Sequence, residues 1–279
     1  MAFDFPASPT VGQAYTLGGV SYVWNGYAWM AGAAPAPQQG VQYPAHGGVR
    51  LIRLDDNTLR LSPYNGNRLV IGGESRQLTA PIDIPKSLFT GAWGYLYAYW
   101  TGTAIAVEYS TTARITGNDG IEIKTGDPSR TLLGMAFLLQ SLYFRDDGAN
   151  RLLLNWFNRR PKIIYFYQNV ATSAAAITPL GTASNFLCWA GEEIEFSGDG
   201  YASGNAIDYA FSTPMVDDTL GGGQHGERCD GAGHYGSVGG LLSFAQGADS
   251  TLHTLRAGMR TTGVMTYTAQ FQCQGMVWG

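Results

Sequence analysis

At 279 residues the chain holds two ordinary domains or one large one with small extras, and only 14% of it is charged, against about 25% in typical domains. A net charge of −4 without a basic stripe speaks against nucleic acid, no stretch approaches the ~20 apolar residues that span a bilayer as a helix, and three scattered cysteines make no disulfide framework. Thirty-eight glycines and 13% aromatic residues describe a turn-rich β protein, not a helical one.

The start, Met-Ala-Phe-Asp-Phe-Pro, has neither the basic residues nor the apolar run of a signal peptide, and the scattered, odd-numbered cysteines lead to the expectation of synthesis in a reducing cytoplasm. Residues 5–30 read as a very small β unit. Pro6 and Pro9 make an extended arm that leads to Gly12. A polar strand reaches Gly18-Gly19, residues 20–24 form the next, and a turn at Asn25-Gly26 leads into Tyr27-Ala28-Trp29. Asn-Gly between aromatic runs is a strong hairpin signal, because both residues tolerate φ > 0. So short a unit buries no core of its own and needs a partner. Residues 1–31 are therefore read as an anchoring module. Residues 32–48, rich in Ala, Pro, Gln and Gly, are read as a semi-extended linker.

Residues 49–160 read as a central β domain. Strands at 49–54 and 58–61 flank Asp55-Asp56-Asn57, and strands at 68–71 and 76–78 flank Gly72-Gly73. Residues 93–100 carry Trp93, Tyr95, Tyr97 and Tyr99 on one strand face and form a hairpin with 104–109. That stripe is either a sugar-stacking platform or, by preference, core or subunit interface. Residues 131–138 read as a buried strand.

Residues 161–279 read as an antiparallel β-sandwich of the jelly-roll kind, making the whole chain all-β. Its strands are expected at 162–167, 186–189, 194–196, 207–211, 238–244 and 265–273. In the last, apolar Met265, Tyr267, Ala269, Phe271 and Cys273 alternate with polar residues.

The candidates for chemistry are few. The segment 221–236 is a glycine-rich stretch read as an exposed tip loop, with His225, Arg228, His234 and Tyr235 as contact residues. His225, Cys229, Asp230 and His234 have ligand chemistry, but their spacing fits no zinc signature, so no metal and no cofactor is expected. Four acidic pairs occur, at 55–56, 146–147, 192–193 and 217–218. Neighbours on a strand point to opposite faces, so no pair forms a glycosidase dyad by itself. Nucleophile elbow, Walker loop and dinucleotide fingerprint are all missing, and no enzyme is expected.

Two sets of motifs resemble bacteriophage tail and fibre proteins. The N-terminal pattern FP-x-SPT-VGQ…GV-x-Y-x-W-x-G-x-x-W is carried by Phe5-Pro6, Ser8-Pro9-Thr10, Val11-Gly12-Gln13, Gly19-Val20, Tyr22, Trp24, Gly26 and Trp29, with Asn25 where the family has Asp. Further along, Leu61-Ser62-Pro63-Tyr64-Asn65-Gly66, the hairpin from Tyr95 to Thr111, the run GIEIKTGD…RTLLGM from Gly120 to Met135, and Trp156-Phe157-Asn158-Arg159 follow one another as in phage fibre and spike domains.

The resemblance implies a fibre or spike subunit on head or tail, made in the host cytoplasm and carried on the virion surface. It implies a homotrimer that joins other virion proteins through Phe5, Pro6, Pro9, Tyr22, Trp24 and Trp29 and attaches to a host surface glycan or protein. Capsid decoration and polysaccharide depolymerisation are the alternatives.

Overall fold

The computed structural model describes residues 5–17, 20–31, 46–172, 176, 178–204, 207–220, 225–230, 236–245, 252–261 and 267–278. Strands dominate, and the described residues hold no α-helix, only a 3₁₀ turn at Lys86–Leu88. The fold is all-β, and the chain divides into two units, Met1–Pro44 and Ala45–Gly279.

In the first unit Ala14–Leu17, Val20–Trp24 and Trp29–Ala31 form an antiparallel sheet in which Trp24 faces Trp29. The turn between them spans four residues rather than the expected two. The Asn25 N–H donates to the Ala28 carbonyl at 3.1 Å, and Asn25 Oδ1 accepts from the N–H groups of Tyr27 (2.9 Å) and Ala28 (2.8 Å). The side chain thus closes the turn, with Gly26 at φ +103°. Among the described residues of this unit Val23 is the buried apolar side chain, while Tyr27 is 93% exposed.

The second unit begins with a small sheet and a hairpin packed on a larger sheet. Val49–Arg53, Thr58–Pro63 and Ile82–Pro85 form one small sheet; Arg68–Ile71 and Glu74–Gln77 form a hairpin closed by Gly72 and Gly73, both at positive φ. These lie on a larger sheet organised by the 13-residue strand Asp127–Leu139. That strand pairs on one side with Trp93–Trp100 and on the other with Glu122–Lys124 and then Leu153–Asn155. It separates two cores: Leu132 and Met135 belong to one, Leu133, Ala136 and Leu138 to the other. Burial on both faces is why its sequence is a continuous apolar run rather than an alternating one. Its register slips between Leu132 and Gly134, where a Cβ would stand 2.1 Å from the Leu154 carbonyl oxygen.

The rest is a jelly roll. Eight long strands follow in order: Pro161–Thr172, Thr178–Phe186, Glu193–Gly204, Ile207–Val216, His225–Asp230, Gly236–Ala245, His253–Thr261 and Tyr267–Trp278. In that order the first, eighth, third and sixth make one antiparallel sheet, and the second, seventh, fourth and fifth make the other. Ile164, Ile194 and Phe196 from the first sheet meet Phe186, Val216, Leu255 and Ala257 from the second; the Phe186 and Phe196 rings are 5.4 Å apart.

Three details differ from expectation. His225–Asp230, part of the expected tip loop, is strand, running from His225 opposite Ser212 to Asp230 opposite Ile207. Thr178–Phe186 ends where residues 186–189 were read as strand; Leu187, Cys188 and Trp189 are irregular but fully buried. His253–Thr261 went unread, because its two arginines mask an inward set of His253, Leu255 and Ala257.

The expected boundary at Arg160 lies inside the second unit. One buried cluster joins Tyr95, Tyr97, Leu132, Met135 and Leu154 to Ile164, Phe186, Trp189 and Phe196. The unit's start lies at Ala45, so His46–Gly48 belong to it rather than to the linker; Gly48 donates to the Arg68 carbonyl at 3.0 Å. Two asparagines brace its opening strand. Asn155, 1% exposed, takes the Leu51 N–H on Oδ1 at 2.5 Å and donates Nδ2 to the Leu51 carbonyl at 3.0 Å. Asn158, at φ +54°, donates Nδ2 to the carbonyls of Gly47 (2.7 Å) and Val49 (2.8 Å).

Candidate functional site

The first unit gathers its motif aromatics. Register places Tyr15, Tyr22, Trp24 and Trp29 on one face of the sheet. The arm carrying Pro6 and Pro9 folds Phe5 back over that face: its ring stacks on Trp29 at 5.3 Å and meets Tyr22 and Tyr15 edge-on at 5.0 and 5.8 Å. Trp24 lies 5.7 Å from Trp29. Gly12, at φ +86°, donates its N–H to the Trp24 carbonyl at 2.8 Å, and Trp24 donates to the Gln13 carbonyl at 3.0 Å. The Val-Gly-Gln motif is thus a turn that ties the arm to the central strand. The rings are half-buried, so the face holds apolar area available to a partner.

His225 and Arg228 sit on strand His225–Asp230, Arg228 opposite Tyr209; their side chains, and the whole of His234 and Tyr235, lie outside the described residues.

The aromatic stripe is mostly core. Tyr95 and Tyr97 are buried, Tyr97 donating its hydroxyl to the Thr112 carbonyl at 2.8 Å, and Tyr99 lies under the Arg130 guanidinium at 4.4 Å. Trp93 differs. With Tyr95, Arg114, Ile115, Thr116 and Glu122 it lines an open cleft of about 510 Å³, within the size range of small-ligand sites. Glu122 is 6% exposed, with Arg114 Nη1 2.8 Å from Oε2 and the Thr116 hydroxyl donating to Oε1. The Arg114 guanidinium lies over Trp156 at 4.6 Å and Trp189 at 5.4 Å. Arg159 stacks on Trp156 at 4.3 Å and binds Glu192 at 2.5 Å. An aromatic wall beside a fixed Arg–Glu–Thr array suits a hydroxyl-rich ligand. Sequence reasoning passed over Arg114, which carried no motif, and took Glu122 as part of one.

Among the described residues, side chains of the acidic pairs hold turns and ion pairs. Asp55 Oδ1 accepts from the Asn57 N–H at 2.8 Å and Asp147 Oδ1 from Ala149 and Asn150 at 3.0 Å. Asp146 binds Lys162. Asp217 and Asp218, both at positive φ, close the turn between Val216 and Thr219, and Asp217 Oδ2 lies 2.6 Å from His253 Nδ1.

No protein-family model matches this chain, and no curated protein matches it. Among solved structures it is similar to the infectious bursal disease virus Gx strain (TM-score 0.28, 10% identity, 83% of this chain and 66% of that one). It is similar to the VP2 subviral particle of the same virus (0.28, 11%, 83% and 68%) and to the insecticidal delta-endotoxin Cry8Ea1 of Bacillus thuringiensis (0.27, 10%, 84% and 53%). The chain thus spans about two thirds of the two viral chains and about half of the toxin. Superposition this loose carries no argument about fold or activity.

Proposed function

We propose that the chain is a bacteriophage virion protein, a fibre or spike subunit that attaches the particle to the host surface. The observation that carries this reading is the first unit: a three-stranded sheet with a half-buried face of five aromatic rings, separate from the β unit that follows. Such a face serves as an anchor, and Phe5, Pro6, Pro9, Tyr22, Trp24 and Trp29 are the residues that present it. The jelly roll is a fold widespread in capsid and lectin domains, which supports the reading. In this proposal three copies assemble, the strand ends around 221–236 meet a surface glycan through His225, Arg228, His234 and Tyr235, and several weak contacts add up.

Deleting residues 1–31 is expected to leave a folded protein, with an unchanged melting profile, that no longer joins particles in a complementation assay. Normal incorporation of the shortened chain would overturn the anchor. Sedimentation of the purified protein checks the trimer, and a stable monomer at micromolar concentration would exclude it.

A further inference from the structure

Arg50, on strand Val49–Arg53, and Arg160, just ahead of strand Pro161–Thr172, reach the same ring. Their guanidinium carbons lie 5.6 and 4.9 Å from the centroid of Tyr64, and Arg160 Nη2 donates to the Tyr64 hydroxyl. Arg50 Nε is shut away from solvent with no hydrogen-bond partner. Among the described residues neither guanidinium is paired with a carboxylate. The nearby carboxylate, Asp146, pairs with Lys162 Nζ at 2.6 Å through Oδ2, while its buried Oδ1 has Arg151 Nη1 at 3.8 Å and no hydrogen bond. Asp146 thus has two cations in ion-pair contact, Lys162 and Arg151, while Arg50 feels its charge without contact and also feels the repulsion of Arg160.

Such an arrangement opposes itself. Stacking on a tyrosine offsets part of the cost of desolvating a guanidinium but does nothing for the repulsion between two of them. Burial, and then the charge of Arg160, pull the Arg50 pKa down, while Asp146 pulls it up. An incoming anion seated between the two guanidinium groups would relieve the repulsion. Guanidinium forks match the spacing of carboxylate and phosphate oxygens, and Arg160 is exposed while Arg50 is half-buried, so the pair offers one open and one fixed fork.

We infer that Arg50 and Arg160, beside Tyr64, form a binding site for an oxyanion, a carboxylate or phosphate group borne on a surface saccharide. The saccharide part rests on the attachment reading above; the oxyanion part does not.

The test uses the purified full chain with inorganic phosphate, galacturonate and, as a neutral control, galactose, followed by NMR titration and thermal shift. Phosphate or galacturonate is expected to bind and raise the melting temperature, galactose to do neither, and R160Q to weaken binding at least tenfold while melting as the parent does. With acetate added as the sugar-free carboxylate, tighter binding of galacturonate than of acetate assigns the group to an acidic sugar; preference for phosphate assigns it to a phosphorylated one. Lack of binding of either anion, or binding that R160Q leaves unchanged, overturns the site. Should R50Q fail to fold, R160Q, at an exposed position, still decides. A phage carrying R160Q that adsorbs normally, while the pure variant has lost its anion, would keep the site and remove its part in attachment.

Discussion

Single residues carry much of this fold. Gly134 is held where a Cβ would meet the Leu154 carbonyl oxygen at 2.1 Å and Leu51 Cδ1 at 2.8 Å, with the backbone atom unable to yield. Gly134→Ala is expected to cost about 3 kcal/mol, seen as a lowered urea midpoint at unchanged m-value; a midpoint equal to the parent's would refute the close approach. His46 is a second such point. Its Nδ1 accepts the Val70 N–H at 2.9 Å, and its ring meets Phe157 edge-on at 4.7 Å. Burial pushes its pKa down by more than the charge of Asp119 raises it. The unfolded chain then takes the proton first, so this contribution is complete above the ordinary imidazole value of about 6.5 and is lost as the pH falls below it toward the folded value. His46→Asn should flatten that limb of the stability profile, and parallel profiles for parent and variant would count against the assignment. None of these constraints was legible beforehand: the glycine in RTLLGM reads as a motif letter, and what forbids a side chain there comes from a strand twenty residues on.

At the level of elements, patterns that are complete in the local chain were readable. Val49–Arg53, Arg68–Ile71 and Trp93–Trp100 stand where alternation and turn residues put them. Elements whose logic is tertiary were not. His253–Thr261 is half-buried in the second sheet, so its arginines look like a surface stretch until its neighbours are known. The candidate cleft hid for the same reason: Trp93, Arg114 and Glu122 come from three strands and meet only in the folded sheet. The edge strand Pro161–Thr172 is protected locally. Its Ile163 carbonyl accepts two donors from Arg151, at 2.8 and 2.6 Å, Gly148 takes the Tyr165 N–H at 2.8 Å, and Ser184 caps the Tyr165 carbonyl at 3.0 Å. Arg151→Ala frees that carbonyl on an edge flanked by exposed Ile163, Tyr165 and Tyr167. The variant is expected to aggregate faster than the parent on mild heating, measured by light scattering. Equal rates would show the edge to be protected by other means.

For the whole molecule, jelly roll and preceding β layers share a core, so neither is expected to stand alone. A chain ending at Arg160 loses Ile164, Phe186, Trp189 and Phe196 from the cluster that covers Tyr97 and Met135. Residues 45–160 by themselves should lack dispersed amide resonances and be cut rapidly by protease; a well-dispersed spectrum would restore two independent domains. Residue 160, just after the Trp156-Phe157-Asn158-Arg159 motif, stands where one sheet gives way to another, and the buried cluster continues across it. The two asparagines that brace Leu51, Gly47 and Val49 act across 104 to 111 residues of sequence. During translation, at roughly 5–20 residues per second, the opening strand of this unit must therefore wait for several seconds before its braces leave the ribosome. Throughout that interval its apolar face is in the keeping of whatever the cell supplies to nascent chains.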